Sequence, residues 1–230
     1  MTAEPANAQD AYHAGTAEQF LQEELLLGPW TSYSLVHDPK HMAFVLARYK
    51  FAAKMLEGKG HVVEIGSGDG FGLPIMAQAV GKVTCLDWDE RLLDGNARRL
   101  AHLDNVEYML VDLNSESPDL QADAAFSIDV IEHLEPDQEH DFFENVVGCL
   151  APAGVLVTGT PNATAAAYAS RQSQAQHINL QTLPQMRQLM ERWFENVFCF
   201  GQNDEVVHTG YAPMCHYIWT VAAGLRDRSR

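Results

Sequence analysis

Residues 61–72 of the chain read His61-Val62-Val63-Glu64-Ile65-Gly66-Ser67-Gly68-Asp69-Gly70-Phe71-Gly72. The β-branched run predicts a strand. The glycines at alternate positions predict a turn that bends sharply and lies open to a ligand, because no Cβ blocks the approach. A helical segment, Leu73 to Val80, follows at once. The turn therefore lies between a strand and a helix, where α/β folds bind nucleotides.

Strand-like and helix-like segments alternate from residue 61 onward. Strands are predicted at His61–Ile65, Lys82–Asp87, Val106–Asp112, Ala124–Asp129 and Val155–Thr160. Helices are predicted at Leu73–Val80, Glu90–Leu103, Asp137–Leu150 and Leu183–Trp193. Such alternation implies right-handed crossovers and a parallel, doubly wound α/β sheet. Two later strands, at 196–201 and 216–222, predict a terminal hairpin on that sheet.

The residues before 59 form a separate N-terminal region. Residues 1–14 resemble a flexible tail and carry neither the basic nor the apolar part of a secretory signal. Residues 15–58 predict N-terminal helices, the first over Thr16–Leu27 and the second from Asp38-Pro39 to near Gly58. Between them, Trp30–His37 is an aromatic loop that either covers the cofactor as a lid, through Tyr33 and His37, or staples the two helices together.

Composition limits the classes of partner. The chain has 230 residues and a formal net charge of −16, whereas nucleic-acid binders need a basic surface. No apolar run approaches the ~20 residues of a membrane span. The four cysteines have no CxxC spacing, which favours core thiols in a reducing cytoplasm. These features predict a cytoplasmic protein with no nucleic-acid partner and no membrane span, and they leave the oligomeric state open.

Three nucleotide classes compete for the glycine turn. A nicotinamide dinucleotide site typically has the glycine spacing G-x-G-x-x-G, but the spacing here is G-x-G-x-G. A P-loop needs Gly-Lys-Ser/Thr, which is missing. An acidic, glycine-lined turn suits a ligand without phosphates that ends in a charged amino acid, and S-adenosylmethionine is such a ligand.

Residues 64–70 resemble motif I of the class I S-adenosylmethionine-dependent methyltransferases, and the resemblance continues in order. It extends through residues 83–87, 109–112, 126–134 and 150–157. The family implies a Rossmann-like seven-stranded sheet of order 3-2-1-4-5-7-6 with strand 7 antiparallel, within residues 59–230. It also implies cofactor-binding roles for Glu64, Gly66, Ser67, Gly68, Gly70, Asp87, Trp88, Asp112, Leu113 and Asp129. By this resemblance Asp87 holds the ribose hydroxyls, Asp112 and the Leu113 amide hold adenine, and Trp88 packs against the ring.

The acceptor side is expected at Asp129-Val130-Ile131-Glu132-His133 and at the loops 161–181 and 202–215. A helical turn would bring Asp129, Glu132 and His133 together. This D-x-x-E-H is similar to the segment in ubiquinone-biosynthesis O-methyltransferases and to E-x-x-E-H in small-RNA 2′-O-methyltransferases. With His177 added, the four residues form a candidate divalent-metal site. The alternative is that Glu132 caps or pairs locally and that His133 sits beside the acceptor as a hydrogen-bonding or basic group without a metal. Glu132, His133 and His177 are the predicted catalytic residues.

The predicted function is methyl transfer from S-adenosylmethionine to a small-molecule acceptor, with a hydroxyl of a sugar, quinone precursor or secondary metabolite favoured. One alternative is a non-catalytic domain that binds S-adenosylmethionine as a sensor or partner subunit. Another is an NAD-dependent oxidoreductase, which the glycine spacing disfavours.

Overall fold

The computed structural model describes residues 7–12 and 24–227, and these residues are organised around a single eight-stranded sheet. The strands are β1 His61–Ile65, β2 Lys82–Asp87, β3 Val106–Leu110, β4 Ala122–Ile128, β5 Leu150–Pro161, β6 Phe194–Asn203, β7 Val206–His208 and β8 Tyr217–Leu225. Their spatial order is β3-β2-β1-β4-β5-β8-β6-β7.

The strand order confirms the predicted doubly wound sheet. Strands β1 to β5 pair in parallel, and β8 is antiparallel to both β5 and β6, as expected for the last strand of the predicted order. The difference is β7, a three-residue strand that pairs with the end of β6 inside the segment predicted as a loop. It extends the sheet from seven strands to eight. Its short sequence gives too little alternation to be recognised as a strand.

Helices cover both faces of the sheet. They are α1 Ala8–Tyr12, α2 Pro29–His37, α3 Lys40–Leu56, α4 Leu73–Ala79, α5 Glu90–Arg99, α6 Glu139–Gly148, α7 Arg171–Gln176 and α8 Leu183–Glu191. Helices α3 and α4 share one apolar core with the sheet, and α6 and α8 share the core on the opposite face. Apolar side chains on both faces explain why the central strands carry near-continuous hydrophobic runs.

The N-terminal region differs from its prediction in one respect. The aromatic segment Trp30–His37, predicted as a loop, is part of helix α2. Pro29 stands at the first helical position, where its fixed φ favours a helix start. The predicted helix over Thr16–Leu27 lies mostly outside the described residues, and its described part, 24–27, is not helical. Of the predicted tail, residues 8–12 form α1, residue 7 lies in a bend just before it, and residues 1–6 and 13–14 lie outside the described residues.

Two further observations concern the bulk properties. Within residues 7–12 and 24–227, no helix combines the length and apolarity that crossing a bilayer requires. Cys85, Cys149 and Cys215 are buried, Cys199 is half-buried, and all four are free thiols. The buried three are core thiols, as their apolar neighbours predict.

Candidate active site

The glycine turn follows β1 and depends on backbone conformations that glycine adopts most easily. Gly66, Gly68 and Gly70 have φ angles of +70°, +51° and +69°. A Cβ on Gly66 would lie 2.5 Å from a Val130 methyl group, so the turn packs directly against the segment after β4. A Cβ on Gly68 would meet nothing within 4 Å. The backbone at Gly68 is therefore open to an approaching ligand.

Asp87 connects the end of β2 to this turn. Its Oδ2 accepts the Gly68 N–H at 3.0 Å, and its Oδ1 accepts the Asp89 N–H at 3.0 Å. Burial raises the pKa of the Asp87 carboxyl, whereas the backbone N–H donors lower it. Each carboxylate oxygen has a second lone pair, which suits a vicinal diol such as the ribose hydroxyls.

Asn96 and Ser67 complete the support of the turn. The Asn96 amide is fully buried and donates to the Gly68 carbonyl at 2.9 Å. Ser67 is 3% exposed, and its Oγ has no hydrogen-bond partner among the described residues. An unpartnered hydroxyl inside a ligand-binding turn is a group that a bound ligand can satisfy.

The residues predicted to contact adenine lie at the same edge of the sheet. Asp112 is exposed after β3, and its Oδ1 accepts from the backbone and side chain of Asn114. The side chain of Leu113 is buried. Trp88 is 72% exposed, so most of its ring surface is accessible. The structure thus places all three beyond the carboxyl ends of β2 and β3, and their ligand contacts stay predictions.

Glu64 lies beneath the turn instead of lining it. The carboxyl group is 1% exposed; Tyr49 Oη donates to its Oε1 at 2.5 Å, and Cys85 Sγ contacts its Oε2 at 3.5 Å. Burial raises the pKa of Glu64 to about 8. Both oxygens are engaged by side chains of the core, so this acid supports the turn from below.

Helix α2 is fixed to the turn through Asp69. The Asp69 carboxylate accepts the Thr31 N–H at 2.7 Å and the Thr31 hydroxyl at 3.0 Å. Thr31 is the third residue of α2, so Asp69 caps the helix from another part of the chain, where the preceding Gly28 offers no side chain. The rings of the predicted lid pair, Tyr33 and His37, lie against each other on this helix, with centroids 4.3 Å apart and planes tilted by 41°.

Asp129 follows β4 in a left-handed conformation, with φ +57°. Its Oδ2 accepts from Arg48 Nη1 at 2.6 Å in an ion pair. A positive φ at a residue with a side chain is strained, and such strain concentrates at functional sites. The sequence predicted that Asp129, Glu132 and His133 share one helical turn. This prediction is wrong for Asp129, which lies before the turn in a left-handed conformation.

Glu132 lies in a short 3₁₀ turn, Ile131–His133, and is fully buried. Its Oε2 accepts from the Thr160 hydroxyl at 2.9 Å, and its Oε1 has no hydrogen-bond partner among the described residues. Burial, and then the charge of Asp129, raise the pKa of Glu132 to about 8. A cation bound beside Oε1 would stabilise the carboxylate form.

His133 and His177 stand beside Glu132. His133 is exposed, and its Nδ1 lies 3.2 Å from the Gln176 carbonyl oxygen. A carbonyl only accepts, so Nδ1 donates this hydrogen bond, and in the neutral ring the lone pair lies on Nε2. The two imidazole centroids are 5.1 Å apart. Burial and the neighbouring His133 lower the pKa of His177, which keeps that ring neutral at neutral pH.

Three of the four predicted metal ligands are therefore close together. Ligand atoms of Glu132, His133 and His177 all lie within 4.8 Å of one another, and Asp129 is outside this group. One carboxylate and two imidazoles are a common donor set for Zn²⁺ and other transition metals. The unpartnered Glu132 Oε1 fits such an ion, and the Gln176 carbonyl orients the His133 ring as outer-shell partners of metal ligands do.

The two predicted acceptor-side loops are more ordered than expected and are joined. Residues 161–181 contain a 3₁₀ turn, Ala163–Tyr168, and helix α7, which ends next to His177. The Asn162 amide donates to the carbonyls of Ala212 and Cys215, each at 2.9 Å. These bonds attach the 202–215 segment to the 161–181 segment, beside the group at Glu132.

Sequence reasoning missed Arg48 and Tyr49, which α3 contributes to the site. Both are buried, at 7% exposure each, on the face of α3 that packs on the sheet. The helical spacing could have indicated that Arg48 is buried, because Val45, Arg48 and Ala52 lie three and four residues apart on one apolar face. A lone arginine on such a face requires an acidic partner.

Comparison with known proteins agrees with this geometry. Residues 63–156, from β1 into β5, match the sequence model of a family described as "Methyltransferase domain". A "probable S-adenosylmethionine-dependent methyltransferase" of Mycolicibacterium smegmatis is 32% identical over 101 residues, which is 44% of this chain and 38% of that protein. The alignment thus spans well under half of the relative's length.

Solved structures share the fold over most of the chain. The complex of DhpI with SAH has a TM-score of 0.61 at 21% identity and covers 94% of this chain and 95% of DhpI. The methyltransferase domain of bacterial CtHen1 has a TM-score of 0.65 at 18% identity and covers 79% of this chain and 99% of that domain. Residues 63–156 are therefore similar to a methyltransferase domain, and the chain shares the fold of these solved methyltransferase structures.

Proposed function

We propose that this chain transfers the methyl group of S-adenosylmethionine to a hydroxyl group of a small-molecule acceptor. The name of the M. smegmatis relative and the SAH bound to DhpI support the cofactor. The open backbone at Gly68, the Asp87 carboxylate next to it and Asp112 at the following strand end supply the groups that the cofactor's adenosine needs. The net charge of −16 favours a small molecule over a nucleic acid as acceptor. The four free cysteine thiols agree with the cytoplasmic location that we propose.

The observation that supports the choice of a hydroxyl acceptor is the hydrogen bond between His133 Nδ1 and the Gln176 carbonyl, which fixes the orientation of the imidazole ring. Methyl transfer is an in-line displacement at the sulfonium carbon, and a hydroxyl nucleophile has to lose its proton as the bond forms. His133 holds its own proton on Nδ1 towards Gln176, so Nε2 is the base that accepts the acceptor's proton. His177, kept neutral by burial, stands next to it as a second acceptor of hydrogen bonds.

The same residues would hold a divalent ion if the enzyme uses one. Glu132, His133 and His177 would be its protein ligands. Such an ion would lower the pKa of a bound acceptor hydroxyl. Thr160 orients Glu132 and Gln176 orients His133 in both cases, but a His133 that holds the ion would be its ligand and would not act as the base.

Release of S-adenosylhomocysteine from a library of hydroxyl, amine and carbon acceptors tests the reaction. We expect turnover with hydroxyl compounds, and His133→Ala should lower kcat by about 100-fold, the usual contribution of a general base. Cofactor affinity should be unchanged in this variant. His102→Ala, an exposed histidine remote from the site, is the matched control. Turnover with amines only, or full activity of His133→Ala, would contradict the proposal.

Metal dependence is tested by exhaustive EDTA treatment and readdition of Mg²⁺, Mn²⁺ or Zn²⁺ during turnover. A metal-dependent enzyme would lose activity in EDTA and recover it with one ion. It would also lose that recovery in Glu132→Gln. Unchanged activity in EDTA would leave His133 as the sole base.

A further inference from the structure

A cleft of about 340 Å³ lies between the start of helix α2 and one side of helix α5. Its apolar part is formed by Pro29 and Trp30 of α2 and by Leu92 and Gly95 of α5. Trp30 is 57% exposed, so a large part of its ring surface is accessible. The volume lies within the range of small-molecule sites in proteins. The cleft can therefore hold a compact ligand that has a flat apolar part.

The charged part of the cleft consists of three arginines of α5 and one acid, Arg91, Arg98, Arg99 and Asp89. The whole chain has 15 lysines and arginines against 31 acids. Three of its 15 basic side chains thus line one cleft of an otherwise acidic protein. A local excess of positive charge raises the concentration of anions at that place, whatever the net charge of the molecule.

Only one of the three arginines has an ionic partner. Arg91 pairs with Asp89, whose oxygens accept from Arg91 Nε at 2.9 Å and from Arg91 Nη2 at 2.6 Å. Arg99 donates to Asn96 Oδ1 at 2.6 Å and to the backbone carbonyl of Asp69 at 3.3 Å. Both acceptors of Arg99 are neutral, so they satisfy its N–H groups without balancing its charge.

Arg98 carries the second unbalanced charge. It is exposed and has no ion pair or hydrogen bond to any other residue that the structure describes. The Arg99 guanidinium lies across Gly95, where a Cβ would be 2.7 Å from Arg99 Nη1. The missing side chain at Gly95 thus leaves room for a guanidinium on the floor of the cleft. Two guanidinium groups without an ionic partner therefore face the same space.

The two walls of the cleft are held in place by the glycine turn. Thr31, which follows Trp30, donates its N–H to the Asp69 carboxylate at 2.7 Å. On the other wall, Arg99 donates to the carbonyl of the same Asp69. Because both walls are bonded to one residue, the cleft is formed before a ligand enters, which lowers the cost of binding.

We propose that this cleft binds a phosphate monoester attached to a planar ring, with a nucleoside monophosphate as the simplest case. A phosphate monoester carries up to two negative charges near neutral pH, which matches the two unbalanced guanidinium groups of Arg98 and Arg99. The ring of the ligand stacks on Trp30. None of the residues predicted to bind the cofactor or the acceptor lines the cleft, so this site is separate from both.

The competing explanation is that the arginines only form a solvated basic surface. The two explanations differ in selectivity. A solvated surface would bind inorganic phosphate as well as a nucleotide, and Trp30 would make no difference. A built site needs the ring and the phosphate in one molecule, because each part alone makes only half of the contacts.

Isothermal titration calorimetry with guanosine 5′-monophosphate tests the site. The chain is first saturated with S-adenosylhomocysteine, which occupies the cofactor site, and the guanine base avoids any recognition of adenine. We expect saturable binding of one nucleotide per chain. Guanosine and inorganic phosphate should each bind at least about 10-fold more weakly than the nucleotide, since each lacks one set of contacts.

Variants at both ends of the cleft assign the contacts. Arg98→Ala should weaken binding of the nucleotide by about 10-fold, the loss typical of a hydrogen bond to a charged group. Trp30→Ala should weaken it by about 10-fold through the loss of stacking, whereas Trp30→Phe keeps a ring and should lose less. Trp30→Phe and Arg98→Ala decide the question if Trp30→Ala does not fold. Arg187→Ala, an exposed arginine on α8, is the matched control and should bind like the unaltered chain.

Three results would overturn this site. They are no saturable binding of the nucleotide, equal binding of nucleotide and inorganic phosphate, and unchanged affinity in both Arg98→Ala and Trp30→Phe. Displacement of the nucleotide by S-adenosylhomocysteine would also overturn it, because the nucleotide would then occupy the cofactor site. Failure of S-adenosylhomocysteine to bind would instead overturn the proposed function, and the cleft would be tested by the same titration without it.

Discussion

The carboxyl group of Glu64 is buried between Tyr49 and Cys85, and burial raises its pKa to about 8. In the unfolded chain a glutamate titrates near its ordinary value of about 4.3. The folded protein therefore binds more protons than the unfolded chain between these two values. The stability of the fold should fall as the pH rises from about 4.5 to about 8, and this contribution should level off above that.

Glu64→Gln should remove this pH dependence while keeping an acceptor for Tyr49. The free energy of unfolding of Glu64→Gln, relative to the unaltered chain, should rise by roughly 2 to 4 kcal/mol between pH 5 and pH 8.5. Urea unfolding at several pH values measures it. Glu132 has a pKa raised in the same direction but is present in both proteins, so its effect cancels. A difference that stays constant with pH would contradict the burial of an ionisable Glu64.

Asp87 should matter for the cofactor more than for the fold. Asp87→Asn keeps a side chain of the same shape but loses the charge-assisted bonds to the ribose hydroxyls, so S-adenosylhomocysteine should bind about 10- to 100-fold more weakly. Calorimetry measures the loss. Asp119→Asn, an exposed aspartate, should bind normally. Equal affinity of Asp87→Asn and Asp119→Asn would exclude the ribose role.

For single residues, the sequence predicted the positions of side chains at strand ends better than the contacts of side chains whose partners lie on distant elements. Asp87 and Asp112 could be placed because strand ends of a parallel sheet share one edge. The buried position of Glu64 could not be predicted, since it depends on Tyr49 from a helix fifteen residues upstream. The partner of Asp129 is likewise a long-range contact, 81 residues away in the chain.

Asp69 of the glycine turn accepts two hydrogen bonds from Thr31 and so links the turn to the start of helix α2. Asp69→Ala should remove two hydrogen bonds to Thr31 and destabilise the start of α2 by about 1–2 kcal/mol, the usual cost of losing a helix cap. Hydrogen exchange of the α2 amides should accelerate by about 5- to 30-fold, whereas exchange in β1 and β4 should not change.

Thr31→Ala is the partial control, because it removes the hydroxyl bond and keeps the N–H bond. Its effect on α2 exchange should be smaller than that of Asp69→Ala. If Asp69→Ala leaves α2 exchange unaltered, the helix start is held by other contacts.

Most elements of the sheet could be predicted because their hydrophobic periodicity is strong. The bounds of β1 and β2 agree with the prediction to the residue. Trp30–His37 was wrong as a loop, because its helix start depends on Asp69, thirty-eight residues later in the chain. Strand β7 was missed since its three residues pair only with β6.

At the scale of the whole molecule, the carboxyl edge of the sheet collects every group that the proposed reaction needs. Strands β1 to β3 supply the turn and the acids for the cofactor, and β4 and β5 supply Asp129, Glu132 and Thr160. The segments 161–181 and 202–215, which are predicted to lie on the acceptor side, are hydrogen-bonded to each other. This division explains why the cofactor class could be inferred from motifs, whereas the acceptor depends on segments without a motif.

Calorimetric titration of the chain with S-adenosylhomocysteine and, separately, with NAD tests the central claim most directly. A site built by the open glycine turn, Asp87 and Asp112 predicts saturable binding of one S-adenosylhomocysteine per chain, weakened in Asp87→Asn, with no saturable binding of NAD. Saturable binding of NAD without binding of S-adenosylhomocysteine would contradict the account.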